Sequence, residues 1–136
     1  MQRRILLVDD ELPVLLTLKA VLEMNGFHVE TAASVVEAER KITSEVFDMV
    51  ITDLRMGSET AGHDVIRTAR AQPYNPATAI LTAFPNTARE WQSSGAQSLL
   101  VKPVNTSDLL RQIEALLVTH QDEKMKLAKS SPTPGL

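Results

Sequence analysis

The sequence predicts a doubly wound α/β domain: a five-stranded parallel sheet with five helices packed on its two faces. Three observations point there. Five short aliphatic or β-branched runs recur along the chain, longer stretches with helical spacing lie between them, and most runs end directly on a residue able to do chemistry. Strands alternating with helices imply a parallel sheet covered on both sides. Right-handed crossovers then leave few topologies open.

The strand-like runs are Arg4–Val8, Phe27–Thr31, Phe47–Thr52, Thr78–Thr82 and Ser98–Val101. In the first helical stretch Leu15, Leu18 and Leu22 share one face, Pro13 is tolerated in the opening turn, and Gly26 is placed to end the helix. The second opens with Ser34 and Glu37 at capping-box spacing, and Val35, Ala38 and Ile42 follow on one face. The third, Asp64 to Ala71, has a weaker pattern and stops before Pro73. The fourth, about Thr87 to Ser94, has only Ala88 and Trp91 as anchors before Gly95. In the fifth, Asn105 caps, Asp108 suits the N-terminal dipole, and Leu109, Ile113, Leu116 and Leu117 form the stripe.

The totals fit one domain with a single core: 136 residues, 43% hydrophobic and 23% charged. A formal net charge of -3 gives no electrostatic reason to bind nucleic acid or an anionic membrane. Cysteine is absent, which rules out disulfides and thiolate metal sites and fits a reducing cytosol. The apolar run after the N-terminal arginines is too short for a secretory signal or a spanning helix, so a cytoplasmic protein is expected. Residues 1–119 are read as the domain. Residues 120–136, polar and then Ser/Pro-rich, are read as a helix extension running into a flexible tail or linker.

In a sheet of this class ligands sit beyond the carboxyl ends of the strands. The first strand is followed by Asp9 and Asp10, the third ends at Asp53, the fourth at Thr82, and the fifth is followed by Lys102 and Pro103. After the second comes only Thr31-Ala32-Ala33. Three carboxylates brought together would push at least one pKa upward, a penalty that a hard divalent cation such as Mg²⁺ removes. A carboxylate beside such a metal can attack phosphorus, while an ammonium and a hydroxyl share the charge on the transferring oxygens. Taken singly, each residue has a plainer role. Asp53 could form a turn, Asp9 could cap the first helix, Thr82 could be a strand residue and Lys102 a surface charge. Glu11 reads as a solvated acid favoured by the helix dipole.

Taken together, "LLVDDE", "ITDLRM", "ILTAF" and "LLVKP" resemble the receiver domains of two-component response regulators, over about Arg3 to Thr119. The resemblance implies the flavodoxin-like strand order 2-1-3-4-5. It implies that Asp53 accepts a phosphoryl group and that Mg²⁺ is held by Asp10 directly, Asp9 largely through water, Asp53 and the main-chain carbonyl of Arg55. It also implies that Thr82 bonds a phosphoryl oxygen, that Lys102 bridges to the carboxylate or phosphate, and that a cis peptide joins Lys102 to Pro103. The implied donor is a histidine kinase or histidine phosphotransfer protein. A downstream protein, an output domain or a second copy would then bind the face of the fourth helix, fifth strand and fifth helix, with no nucleic acid or membrane contact.

The chain departs from the family pattern in two places. Gly57 stands where a proline commonly follows the methionine, and Gly62 lies one place later than usual, which implies a one-residue insertion and a looser loop. Leu99 takes the place of the aromatic residue three before the lysine, so the usual aromatic read-out is weakened or passed to Phe84 or Trp91. Two competing readings are a pseudo-receiver that binds without phosphorylation and an aspartate-nucleophile phosphatase. Arg55, where such phosphatases carry a second acid, argues against the phosphatase. His28, His63 and His120 have no second ligand or base at useful spacing and are expected at the surface.

Overall fold

A computed structural model describes residues 2–58, 60–83, 95–102 and 105–130, with side chains as far as Leu127. The elements are β1 (Arg4–Val8), α1 (Leu12–Met24), β2 (His28–Ala32), α2 (Val35–Ser44), β3 (Met49–Asp53), α3 (Ala61–Arg70), β4 (Ala77–Thr82), β5 (Ser98–Val101) and α4 (Thr106–Ser130). All neighbouring strands pair in parallel, in the order β2-β1-β3-β4-β5. Four helices lie among the described residues. The fourth expected from sequence, with Phe84 and Trp91, falls outside them, as does Pro103.

The alternation of β1 divides the core. Ile5 and Leu7 pack with Leu15, Leu18 and Leu22 of α1 and with Leu109, Ile113 and Leu117 of α4. Leu6 and Val8 face the other way, toward Ala38 and Ile42 of α2 and Val65 of α3. A smaller cluster of Leu54, Ile66, Ile80 and Ala96 takes in Leu99 of β5. Burying an aliphatic side chain stabilises by roughly 1.5–3 kcal/mol, so both faces contribute to holding the strand ends in register.

Local signals explain most boundaries. The Ser34 hydroxyl accepts the Glu37 N–H at 3.2 Å and so caps α2. Asn105 Oδ1 accepts the Asp108 N–H at 3.1 Å at the start of α4. Gly26, at φ 92°, takes the left-handed conformation past α1. The start of α3 differs from the sequence reading: it begins at Ala61, three residues before Asp64. Ala61 and Gly62 are fully buried, and a polar, glycine-containing stretch hides that from a search for large apolar residues.

His120 also differs from expectation. It is buried, not at the surface: Nε2 donates to the Asn75 carbonyl at 2.8 Å, and Nδ1 accepts from Gln97 Nε2 at 2.7 Å. The Gln97 amide is oriented by the Thr78 N–H, which donates to its Oε1 at 3.0 Å. Four residues on, Lys124 donates to the Tyr74 carbonyl at 3.1 Å, while the Tyr74 hydroxyl reaches the Ile42 carbonyl at 2.8 Å. The second half of α4 is therefore fastened to the chain just before β4.

Candidate phosphoacceptor site

The sheet edge brings the sequence candidates together. Asp9 follows β1 and extends its ladder, its N–H donating to the Ala32 carbonyl at 3.1 Å. Asp53 is the last residue of β3, paired with Leu81, and Thr82 closes β4 opposite Val101. The Lys102 N–H bonds the Thr82 carbonyl at 2.8 Å, which ties the end of β5 to the end of β4. A cavity of about 130 Å³ is lined by Asp10, Glu11, Asp53, Arg55, Thr82 and Lys102.

Its charge is lopsided. One carboxylate oxygen from each of Asp9, Asp10, Glu11 and Asp53 lies within 4.8 Å of the others. Asp9 is 2% exposed and Asp53 8%, whereas Asp10 and Glu11 face solvent. Against these acids stands Lys102. Its Nζ is 2.8 Å from Asp9 Oδ2, 3.3 Å from Glu11 Oε1 and 3.7 Å from Asp53 Oδ2.

The titration of Asp53 reflects this imbalance. Burial, and next the Asp9 charge, raise its pKa from 3.8 to about 6, while Lys102 and the backbone amides of Arg55 and Leu54 pull it back. Burial works against the Lys102 ammonium, but Asp9, Asp53 and Glu11 outweigh it and hold its pKa above the ordinary lysine range. Asp9 Oδ1 accepts the Glu11 N–H at 2.9 Å, a turn that precedes α1 and aims the other oxygen inward. That oxygen, Oδ2, is buried and makes no hydrogen bond among the described residues, its contact being the ion pair with Lys102 at 2.8 Å. A cluster of four carboxylates, three of them sharing one ammonium and one with an oxygen lacking a hydrogen bond, fits a hard divalent cation.

Two residues carry more than their sequence context suggested. Glu11 is exposed, as expected, yet it hydrogen-bonds Lys102 and joins the carboxylate cluster. Gly62 donates its N–H to the Leu54 carbonyl at 2.9 Å, and a Cβ there would lie 2.7 Å from Asp53 O and from Leu54 Cα. Its position in the chain was conspicuous, but only the packing of α3 against the end of β3 explains it. Gly57, at φ 81°, sits in open space in the same loop. His63 is half-buried on α3. His28 pairs with Glu30 at 3.3 Å on β2.

Comparisons with known proteins agree with this geometry. Residues 5–114 match the model of the response regulator receiver domain. The chain is 38% identical over 133 residues to the alginate biosynthesis transcriptional regulatory protein AlgB of Pseudomonas aeruginosa, covering 90% of this chain and 29% of that protein. It is 36% identical over 121 residues to the transcriptional regulatory protein ZraR of Escherichia coli, covering 85% and 27%. The chain thus spans less than a third of the length of these relatives. Among solved structures, a CheY-like response regulator receiver domain protein from Methanospirillum hungatei superposes with a TM-score of 0.80 at 29% identity, over 90% of this chain and 99% of that one. The response regulator TrrA of Thermotoga maritima, in complex with Mg²⁺ and BeF, gives 0.76 at 30% identity, over 85% and 99%. Fold, acid cluster and family match converge: the chain belongs to the response regulator receiver domain family.

Proposed function

We propose that this receiver domain takes a phosphoryl group onto Asp53 and passes the change to a partner or output domain. The observation that carries the reading is the placement of Asp53. Its carboxylate closes a buried strand beside two further acids, a lysine ammonium and the end of the strand that bears Thr82. A carboxylate oxygen of Asp53 attacks the phosphorus of a donor, and the donor's P–N bond (or the P–O bond of acetyl phosphate) breaks. The bond electrons leave with the imidazole or the acetate, and the product is an acyl phosphate. No base is needed, because the nucleophile is already ionised above a pH of about 6.

Asp9, Asp10, Asp53 and the Arg55 carbonyl would hold Mg²⁺, which when bound supplies positive charge to the phosphoryl oxygens. Lys102 supplies a second positive charge from the end of β5, and the Thr82 hydroxyl is the donor at the end of β4. Phosphorylation and hydrolysis are slow, self-catalysed events on this site, in a signalling module and not a turnover enzyme. The phosphoryl donor is a histidine kinase or histidine phosphotransfer protein. The AlgB and ZraR names support an output in transcription, carried by sequence outside this segment. The output or second-copy contact uses the β5–α4 face with the segment before β5. Residues 120–136 serve as the helix extension and linker. No described helix is long and apolar enough to cross a membrane, in keeping with action in the cytoplasm.

Incubation with acetyl phosphate and Mg²⁺ tests the reading. Wild-type protein gains one acid-stable, base-labile phosphoryl group by intact mass, and Asp53→Asn gains none. Full labelling of Asp53→Asn removes Asp53 from the role.

A further inference from the structure

Glu11 is the acid of the cluster to which the proposed reaction gives no task, and its geometry supplies one. Its Oε1 accepts a hydrogen bond from Lys102 Nζ at 3.3 Å, beside the shorter Asp9–Lys102 ion pair at 2.8 Å. The Glu11 side chain is 60% exposed and that of Lys102 13%, so this bond spans the mouth of the site. Asp53 lies on the inner side, its Oδ2 3.7 Å from the same ammonium. One ammonium is therefore shared by three carboxylates, and it must approach Asp53 to meet charge that develops on a phosphoryl group there.

Cation binding to Asp9 and Asp10 would draw Asp9 away from Lys102. The ammonium is then divided between Glu11 outside and Asp53 inside. A carboxylate at the mouth also adds negative charge where an anionic donor enters, so Glu11 opposes phosphoryl transfer by two separable routes, one through Lys102 and one through space.

We propose that Glu11 is a positioning residue that tethers Lys102 at the mouth of the site and thereby slows phosphoryl transfer to Asp53, an inference that rests on Asp53 being the phosphoacceptor. The tether depends on reach. Aspartate keeps the charge but is one methylene too short to reach the ammonium from the same backbone position. Glutamine keeps the length but loses the charge. The two variants separate the tether from the simple field of a carboxylate.

The experiment compares wild type, Glu11→Gln and Glu11→Asp in two measurements. The first is the initial rate of labelling by acetyl phosphate at saturating Mg²⁺. The tether predicts that both variants label faster than wild type, by about 3–10-fold, because aspartate cannot reach Lys102 and glutamine holds it only by a weaker neutral hydrogen bond. The second uses metal-free protein: reductive methylation of Lys102, read by peptide mass spectrometry, becomes about 2–3-fold faster in both variants as the ammonium loses a partner. If Glu11→Gln labels faster while Glu11→Asp matches wild type, the charge acts through space and the tether is wrong. Unchanged labelling and methylation in both variants overturn it as well. Absence of labelling in wild type itself overturns the phosphoacceptor assignment first, and so marks a different failure.

Discussion

Lys102 Nζ lies 2.8 Å from Asp9 Oδ2, so the ammonium at the end of β5 is held by the acid at the end of β1. Asp9 is almost fully buried, and this ion pair is the cationic contact its carboxylate shows among the described residues. Breaking a buried pair from one side leaves a charge without compensation, which typically costs 3–5 kcal/mol. In metal-free protein at neutral pH, Lys102→Met should therefore lose about 3 kcal/mol by urea denaturation. Excess Mg²⁺ should recover more stability in the variant than in wild type, because the cation no longer competes with the lysine for Asp9. An equal Mg²⁺ gain in both proteins would show that the lysine and the metal do not share Asp9.

The shift of Asp53 carries a stability cost of defined sign. Its pKa is near 3.8 unfolded and about 6 folded, so the folded chain binds the proton more tightly. Below pH 4 both states are protonated and the group is neutral in the balance. As pH rises from about 4 to 6 stability is lost, and above that range the loss is constant, about 2–3 kcal/mol at roughly 1.4 kcal/mol per unit. With chelator present, Asp53→Asn should be more stable than wild type at pH 7.5 by about 2 kcal/mol, and the advantage should vanish near pH 4. An advantage that stays level across that window would rule out burial of the ionised carboxylate as its cause.

Gly62 limits how α3 can approach the acceptor strand. A Cβ there would lie 2.7 Å from Asp53 O and Leu54 Cα and 2.9 Å from Leu54 O, all backbone atoms with little room to yield. Overpacking of this kind costs about 1–3 kcal/mol. Gly62→Ala should lower the urea midpoint accordingly and slow labelling of Asp53, since the displaced peptide carries the nucleophile. Gly57→Ala tests a separate point: its Cβ meets nothing, so any loss there comes from the left-handed backbone, about 1 kcal/mol, without a packing clash.

Much of this was legible in the chain because strands and their ends carry short-range signals. Arg4–Val8 and Ser98–Val101 have the predicted bounds, and Leu15, Leu18 and Leu22 are the buried residues of α1. Asp9, Asp10, Asp53, Thr82 and Lys102 do meet at one edge, since a parallel sheet carries all its strand ends to the same side. The features that escaped are those whose partners lie far away in sequence. Glu11 gains its bond to Lys102 across 91 residues. His120 looks ordinary until packing supplies the Asn75 carbonyl and the Gln97 amide, and Gly62, conspicuous in the chain, gains its reason only from the approach of α3 to Leu54. Leu99 is readable as a departure, but its seat against Leu54, Ile66, Ile80 and Ala96 is a property of the folded sheet.

The His120 network gives the last prediction. The Asn75 carbonyl can only accept and Gln97 Nε2 can only donate, so the imidazole carries its proton on Nε2 and leaves Nδ1 bare. Gln97 cannot turn over to suit another partner without facing its amide nitrogen toward the Thr78 N–H. His120→Phe fills much of the same volume but takes the imidazole partner from the Gln97 amide and the Asn75 carbonyl, both on residues that reach solvent. A buried group left without a partner costs about 1–3 kcal/mol, and access of water to Gln97 and Asn75 brings the cost to the low end of that range. The variant should lose roughly 1 kcal/mol by urea denaturation, and hydrogen exchange should quicken in residues 118–127 while the amides of β1 and β3 stay protected. Lys124→Ala should give the same local exchange pattern with a smaller loss, because it removes one half-buried contact to the Tyr74 carbonyl where His120→Phe removes two. Uniform exchange across the whole domain in His120→Phe would mean that the network supports the global fold and does not hold the second half of α4 in particular.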